Sequence, residues 1–287
     1  MNLRPQELPE VRAALLDFTA TPRAREYWQA LASHARAEGG ERSAEQLERA
    51  TRNGLAGDLF FVARPMADLA SVAGQSLPFF DMNVEDVPSR TGLMLFESAP
   101  ADLYSPRSAF TVEPYAFAVV GGAWEITEDE SCVWITPIVL IDGDTSLTIG
   151  QPALFPFIPA SKAPSVHRSL DVTDRFIRTL RSSWLLMQQP LAADQVVEPR
   201  RSTQKRLRRA GYDPGPVRVI ELRRPQGAPG EASEGRDWQH QWIVRGHWRQ
   251  QWYPSRQVHR PVWIAPHVKG PEGAPMIGGE KVHVWRR

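Results

Sequence analysis

The chain has one cysteine, Cys132, among 287 residues. That excludes an internal disulfide and a cysteine-based zinc cluster, and it fits a reducing compartment. Long apolar runs are also missing. The longest, around residues 133–141, is far short of the ~20 residues that span a bilayer. The opening MNLRPQELPE lacks the apolar core of a secretory signal. A cytoplasmic protein with no membrane segment is expected.

Nucleotide and hydrolase signatures are missing too. The chain contains no G-x-x-x-x-G-K-[ST], no G-x-G-x-x-G and no G-x-S-x-G. Without H-E-x-x-H or clustered cysteines, no metal site and no cofactor are expected. Asp142-x-Asp144 reads as a hairpin turn, and Glu128-Asp129-Glu130 as a solvated acidic loop. Cys132, inside an apolar strand, reads as a small hydrophobe rather than a nucleophile.

What the chain does contain is distributed unevenly. At 42% hydrophobic and 23% charged it is an ordinary globular composition, long enough to bury a core. The net charge of +1 hides a split. Residues 199–287 hold 18 Lys+Arg against 7 Asp+Glu, a net +11, which leaves a net −10 for residues 1–198. Such asymmetry points either to a polyanionic partner for the basic half or to attraction between the two halves. Six of the ten tryptophans and five of the seven histidines lie in the last fifty residues.

Periodicity divides the rest. Residues 5–74 read as helical. One helix follows Pro9, with Val11, Leu15, Leu16 and Phe18 in its stripe. A second starts at Thr21-Pro22 and ends at Gly39-Gly40, and a third starts at Ser43 and ends near Asn53-Gly54. A fourth is expected over residues 58–73, interrupted at Pro65. From Leu77 the pattern shifts to short strands over residues 92–98, 115–120, 132–141 and 146–149. Phe176, Leu180 and Trp184 mark a helix over residues 171–188, stopped by Pro190. Residues 191–199 read as a linker, and Ser202 as the cap of a short basic helix ended by Gly211. A strand follows over residues 217–224, then a surface loop over 226–237. Strands following helices suggest α+β rather than a doubly wound fold. The expected regions are a helical 1–75, a mixed β 76–190 with a closing helix, and a basic module at 199–287. That module combines the basic helix with a small antiparallel sheet.

The densest stretch is WQHQWIVRGHWRQQWYPSRQVHRPVWIAPHVKGP, residues 238–271. Read as a strand, it sets Trp242, Val244, Trp248 and Trp252 on one face. Ile243, Arg245, His247, Arg249 and Gln251 fall on the other. A second strand is expected over residues 262–268, after a loop holding Arg256, His259 and Arg260, and a closing strand over residues 281–287. Gly270 permits a turn that brings Lys269 toward a ligand. Guanidinium groups grip phosphate and exposed aromatic rings stack on bases, so this pattern points to nucleic acid. The candidate phosphate contacts are Lys205, Arg206, Arg208 and Arg209 on the helix, with Arg245, Arg249, Arg256, Arg260 and Lys269 beyond it.

The runs V-R-G-H-W-R-Q-Q-W-Y-P, V-W-I-A-P-H-V-K-G-P and K-V-H-V-W-R-R resemble a group of uncharacterised bacterial and phage-borne proteins. The resemblance covers about the last fifty residues and implies a phage or mobile-element context, with no activity attached. Three readings follow. The first is a protein that binds DNA or RNA through its basic module. The second is a metal-independent, toxin-like RNA-cleaving enzyme using His247 with Arg249 or Lys269. The third is an interaction protein whose basic face meets an acidic protein partner.

Overall fold

The computed structural model describes residues 3–37, 42–80, 82–105, 116–142, 146–157, 172–223, 240–271 and 274–276. The fold is α+β. It comprises two compact units, Met1–Arg223 and Arg224–Arg287.

The first unit is built on one mixed sheet with helices on both faces. Helices α1 (Leu8–Thr19), α2 (Pro22–Ala37) and α3 (Ala44–Ala56) start where the sequence signals place them. Thr21 Oγ1 accepts from Ala24 N at 3.2 Å, and Ser43 and Gln46 form a reciprocal capping box. The helix expected over residues 58–73 is instead a strand followed by a helix. Strand β1 (Asp58–Val62) is buried from Leu59 onward, and α4 (Arg64–Gln75) begins with Pro65 in its first turn. The run Leu-Phe-Phe-Val is apolar without alternation because β1 is covered on both faces, and such a run carries no period to tell strand from helix. Pro65 interrupts nothing; it sits where a proline costs no hydrogen bond.

Strands β2 (Thr91–Phe96), β3 (Tyr104–Ser105), β4 (Phe117–Ile126), β5 (Cys132–Ile141), β6 (Leu147–Ile149) and β7 (Ala153–Pro156) follow, then α5 (Val172–Met187). Strand β5 spans the residues its β-branched content predicts. Beyond α5, the expected linker is strand β8 (Ala192–Val197), followed by α6 (Arg201–Arg209) and β9 (Val217–Leu222). Among the described residues the strand order is β6-β5-β4-β2-β1-β9-β8, with β3 on β4 and β7 on β5. Strands β1–β2 and β1–β9 are parallel, and the other pairs are antiparallel. Strand β8 leaves little trace in the sequence because it is paired on one side only; Asp194, Gln195 and Val196 are exposed, so it shows no buried stripe.

One face of the sheet packs on α1, α2 and α3 through Leu15, Trp28, Leu47, Leu55, Leu59, Phe61, Leu93, Leu95 and Val219. The β4–β5 register shifts between Val119 and Gly121, leaving Val120 as an extra residue. That bulge changes the parity of β4, so Val120 and Ala123 both enter this core although their spacing is odd. The opposite face carries Phe60, Trp124 and Trp184, packed ring on ring. There α4 closes on α5 through small residues, and a β-carbon at Gly74 would stand 3.0 Å from the α5 backbone.

A polar tie joins α3 to the sheet. Thr51 Oγ1 and Thr136 Oγ1 lie 3.1 Å apart, both buried. Thr51→Val keeps the shape and strands the second hydroxyl, so it is expected to cost ~1–2 kcal/mol in urea unfolding. Adding Thr136→Val is expected to recover most of that loss, and strict additivity of the two single effects would count against the pair.

Residues 199–223 belong to the first unit. Strand β9 is inserted between β1 and β8, and α6 is the connection from β8 to β9. The stretch grouped above as one basic module, 199–287, is therefore divided between the two units. The second unit is described over its β strands: β10 (Trp242–Val244), β11 (His247–Tyr253), β12 (Val258–Ile264) and β13 (His267–Lys269). The expected loop at 226–237 and closing strand at 281–287 lie outside the described residues.

Candidate nucleic-acid interface

The single strand expected through residues 242–252 is broken at Arg245-Gly246, and its partner is broken at Ala265-Pro266. Strand β10 pairs with β13 (Trp242↔Lys269, Val244↔His267) and β11 with β12 (His247↔Ile264, Tyr253↔Val258), all antiparallel. The register is the same on both sides of the break, so the two ladders continue one ribbon across two unpaired positions on each strand. The cause is local. Pro266, in register with Arg245, has no N–H to give the ladder, and the adjoining Gly246 leaves room for the Trp263 indole, which a β-carbon there would strike.

Facing pairs in the β11–β12 ladder share a face. One face carries Trp248 opposite Trp263, with rings 5.3 Å apart at 70°, and Trp252 opposite His259, with rings 4.8 Å apart. Trp263 is buried, whereas Trp252 (43%) and Tyr253 (38%) are the exposed rings near the tip. The other face carries His247, Arg249 and Gln251, opposite Ile264, Val262 and Arg260. Arg249 and Arg260 are diagonal neighbours across the ladder, roughly 7–8 Å apart at the backbone. Between them Gln251 Oε1 accepts from Arg249 at 2.8 Å. Arg245 is exposed in the break, Arg256 in the tip turn, and Lys269 at the end of β13. Gly270, at φ +114, runs so close to the His240 backbone that only glycine fits.

The imidazoles are tethered rather than convergent. His247 Nδ1 lies 3.0 Å from Arg245 O, and His267 Nδ1 lies 3.0 Å from Ala265 O. His247 and Arg249 share a face, but Lys269 pairs with Trp242, five ladder steps from His247, or roughly 17 Å. The ribbon does not gather those three at one point. Residues 238–271 hold five Lys+Arg and no Asp or Glu.

The remaining candidates are on α6, in the first unit. Lys205, Arg208 and Arg209 are exposed, while Arg206 is engaged in an ion pair with Glu10 of α1. The helix starts earlier than expected, with Arg200 rather than Ser202 at its N-cap. That adds Arg201, one turn before Lys205, to the basic set; a cap placed at Ser202 leaves it outside the helix.

The acidic loop at 127–131 is self-contained. Asp129 accepts from Thr127 Oγ1 at 2.6 Å and Ser131 Oγ at 2.7 Å, and these bonds hold its pKa down at about 2. Glu130 pairs with Arg90. Among the described residues no group of three His, Cys, Asp or Glu is placed to hold a metal ion. No helix there is long and apolar enough to cross a membrane.

The chain is thus an α+β protein whose second unit carries an aromatic and cationic β ribbon. No protein-family model matches it, and no curated protein matches it. Among solved structures, "Crystal structure of AcrVA2" aligns with 91% of this chain and 93% of that chain, at a TM-score of 0.40 and 14% identity. A likeness of that degree says nothing of what the chain does.

Proposed function

We propose that the protein binds nucleic acid through the β10–β13 ribbon. One observation carries this reading: a two-stranded ribbon bears five Lys and Arg residues and exposed tip rings, with no Asp or Glu among residues 238–271. Cations neutralise phosphates and release counterions, while Trp252 and Tyr253 offer flat surfaces on which bases stack. The Arg249–Gln251–Arg260 face supplies the phosphate contacts. The likeness of the C-terminal residues to phage-borne proteins sets the proposal in a phage or mobile-element context.

The RNA-cleaving alternative is the weaker one. Arg249 shares the face of His247, but Lys269 is too far along the ribbon to serve at the same scissile bond, and His247 Nδ1 is already tethered to Arg245 O.

The test is a salt series with single-stranded RNA, single-stranded DNA and duplex DNA. Affinity is expected to fall linearly on a log–log plot, with a slope of ~0.7 per contact on single strands and ~0.9 on duplex. Negligible binding to all three at low salt, alongside binding to an acidic polypeptide, would replace this reading with the protein-partner one.

A further inference from the structure

The second charged surface lies on α6, and nothing in the ribbon accounts for it. Residues 199–211 contain six Lys+Arg and no Asp or Glu. Arg206 is paired, but Arg201, Lys205, Arg208 and Arg209 are exposed and have no ion-pair or side-chain hydrogen-bond partner among the described residues. Their spacing puts them along one side of the helix, where with Gln204 they line an open hollow. The opposite side is fixed. Thr203 and Leu207 are buried, and Glu10 accepts from both Thr203 Oγ1, at 2.8 Å, and Arg206. Just beyond the helix, Tyr212 donates to Asp17, while Arg12 donates to Gly57 O at 3.1 Å and to Asp213 O. The nearby carboxylates Glu10 and Asp17 are thus occupied away from the four cations. Burial draws the Arg12 guanidinium below its ordinary pKa, against the pull of Asp213 and Asp58, as befits a structural tie.

We infer that α6 is a second phosphate-backbone surface, on the first unit, that grips the same nucleic acid as the ribbon; this rests on the reading given above. The chemistry favours a backbone over any other ligand. The exposed side of α6 offers no aromatic ring and no apolar side chain, so it has nothing to stack a base or seat a hydrophobic peptide. What it offers is four like charges over about 12 Å of helix, whose mutual repulsion a regularly charged strand relieves. The helix is held by its buried side and so loses little freedom on binding. Because the units are joined covalently, a strand held by one surface meets the other at high local concentration. The two surfaces divide the work: the ribbon adds ring stacking to charge, and α6 supplies charge alone, indifferent to sequence.

The test uses the full chain with Arg201→Gln, Lys205→Gln, Arg208→Gln and Arg209→Gln together. All four are exposed, and glutamine suits a helix. Binding is measured against single strands of about eight and about forty nucleotides, the shorter within the reach of one ribbon. The variant is expected to bind the short strand as the wild type does. On the long strand it is expected to bind ~10²-fold or more weakly, with the salt slope reduced by up to ~2.8. Unchanged long-strand affinity and slope overturn the α6 proposal while leaving the ribbon reading intact. Loss of polyglutamate binding with both strands unaffected also overturns it, and assigns α6 to an acidic protein instead. A wild-type chain that binds neither strand at low salt removes the reading on which the proposal rests. Thermal unfolding of the variant, expected to match wild type, keeps a folding defect from passing as a binding defect.

Discussion

Trp124→Ala is expected to lower the stability of the first unit by about 4 kcal/mol or more, given ~3–5 kcal/mol for truncating a buried tryptophan and ~0.5–1.5 for each ring pair. Trp124 is fully buried, with Phe60 on one side at 5.5 Å and Trp184 on the other at 5.2 Å. Its Nε1 donates to Ser89 O at 2.9 Å. Gly92 lies beneath the indole on the neighbouring strand, where any β-carbon would overlap the ring, so the pocket is shaped to this side chain. Truncation leaves a cavity joining two rings and strips the Ser89 carbonyl of this donor. Against a typical total of ~5–15 kcal/mol, that is a large share. The melting temperature is expected to fall by ~10–20 °C. Trp124→Phe keeps the ring contacts and loses the hydrogen bond, so its fall should be smaller. A drop below about 5 °C for the alanine variant would mean that the three rings do not hold α5 to the sheet.

The second large effect is on binding. Arg249→Gln with Arg260→Gln is expected to weaken nucleic-acid affinity by ~10²-fold at about 0.1 M salt, close to tenfold for each phosphate no longer neutralised. The salt slope should fall by ~1.4 on single strands and ~1.8 on duplex. The two guanidinium groups share one ribbon face with Gln251, close enough to engage the same or neighbouring phosphates. Lysine at both positions keeps the charge and loses the planar fork. It is therefore expected to restore the slope while recovering only part of the affinity. An unchanged slope in the glutamine variant, with the ribbon folded, would move the phosphate-binding groups elsewhere.

Much of the fold is legible in the sequence because its signals are local. The Thr21-Pro22 start, the Ser43–Gln46 box and the stripe Phe176, Leu180, Trp184 each belong to a few consecutive residues. Strand β5 is legible through its β-branched run. What escapes is set by distant partners. Strand β1 has no period because helices cover both its faces, and β8 has no apolar face because it is an edge. The basic stretch is divided by the insertion of β9 beside β1, which no local pattern announces. The candidate site behaves similarly. Alternation within β11 separates Trp248 and Trp252 from His247, Arg249 and Gln251, as the ladder register confirms. The diagonal of Arg249 with Arg260 depends on hairpin register, and the engagement of Arg206 depends on Glu10 in a helix near the other end of the chain.

Pro261 stands opposite Gln250 in the middle of the β11–β12 ladder. A proline has no amide proton, so within an intact ladder it can only occupy a position whose nitrogen points away from the partner strand. The outer rim of β12 is therefore missing a donor at its centre, and a third strand arriving there would find a hole in the bonding pattern. A slip by one residue would turn the same proline inward and break the ladder, as well as exchanging the aromatic face for the cationic one. An exposed, tryptophan-rich ribbon would ordinarily be a nucleus for self-association. Here one residue makes it a poor template for its own kind while leaving the cationic face and the exposed tip rings to a ligand of different chemistry.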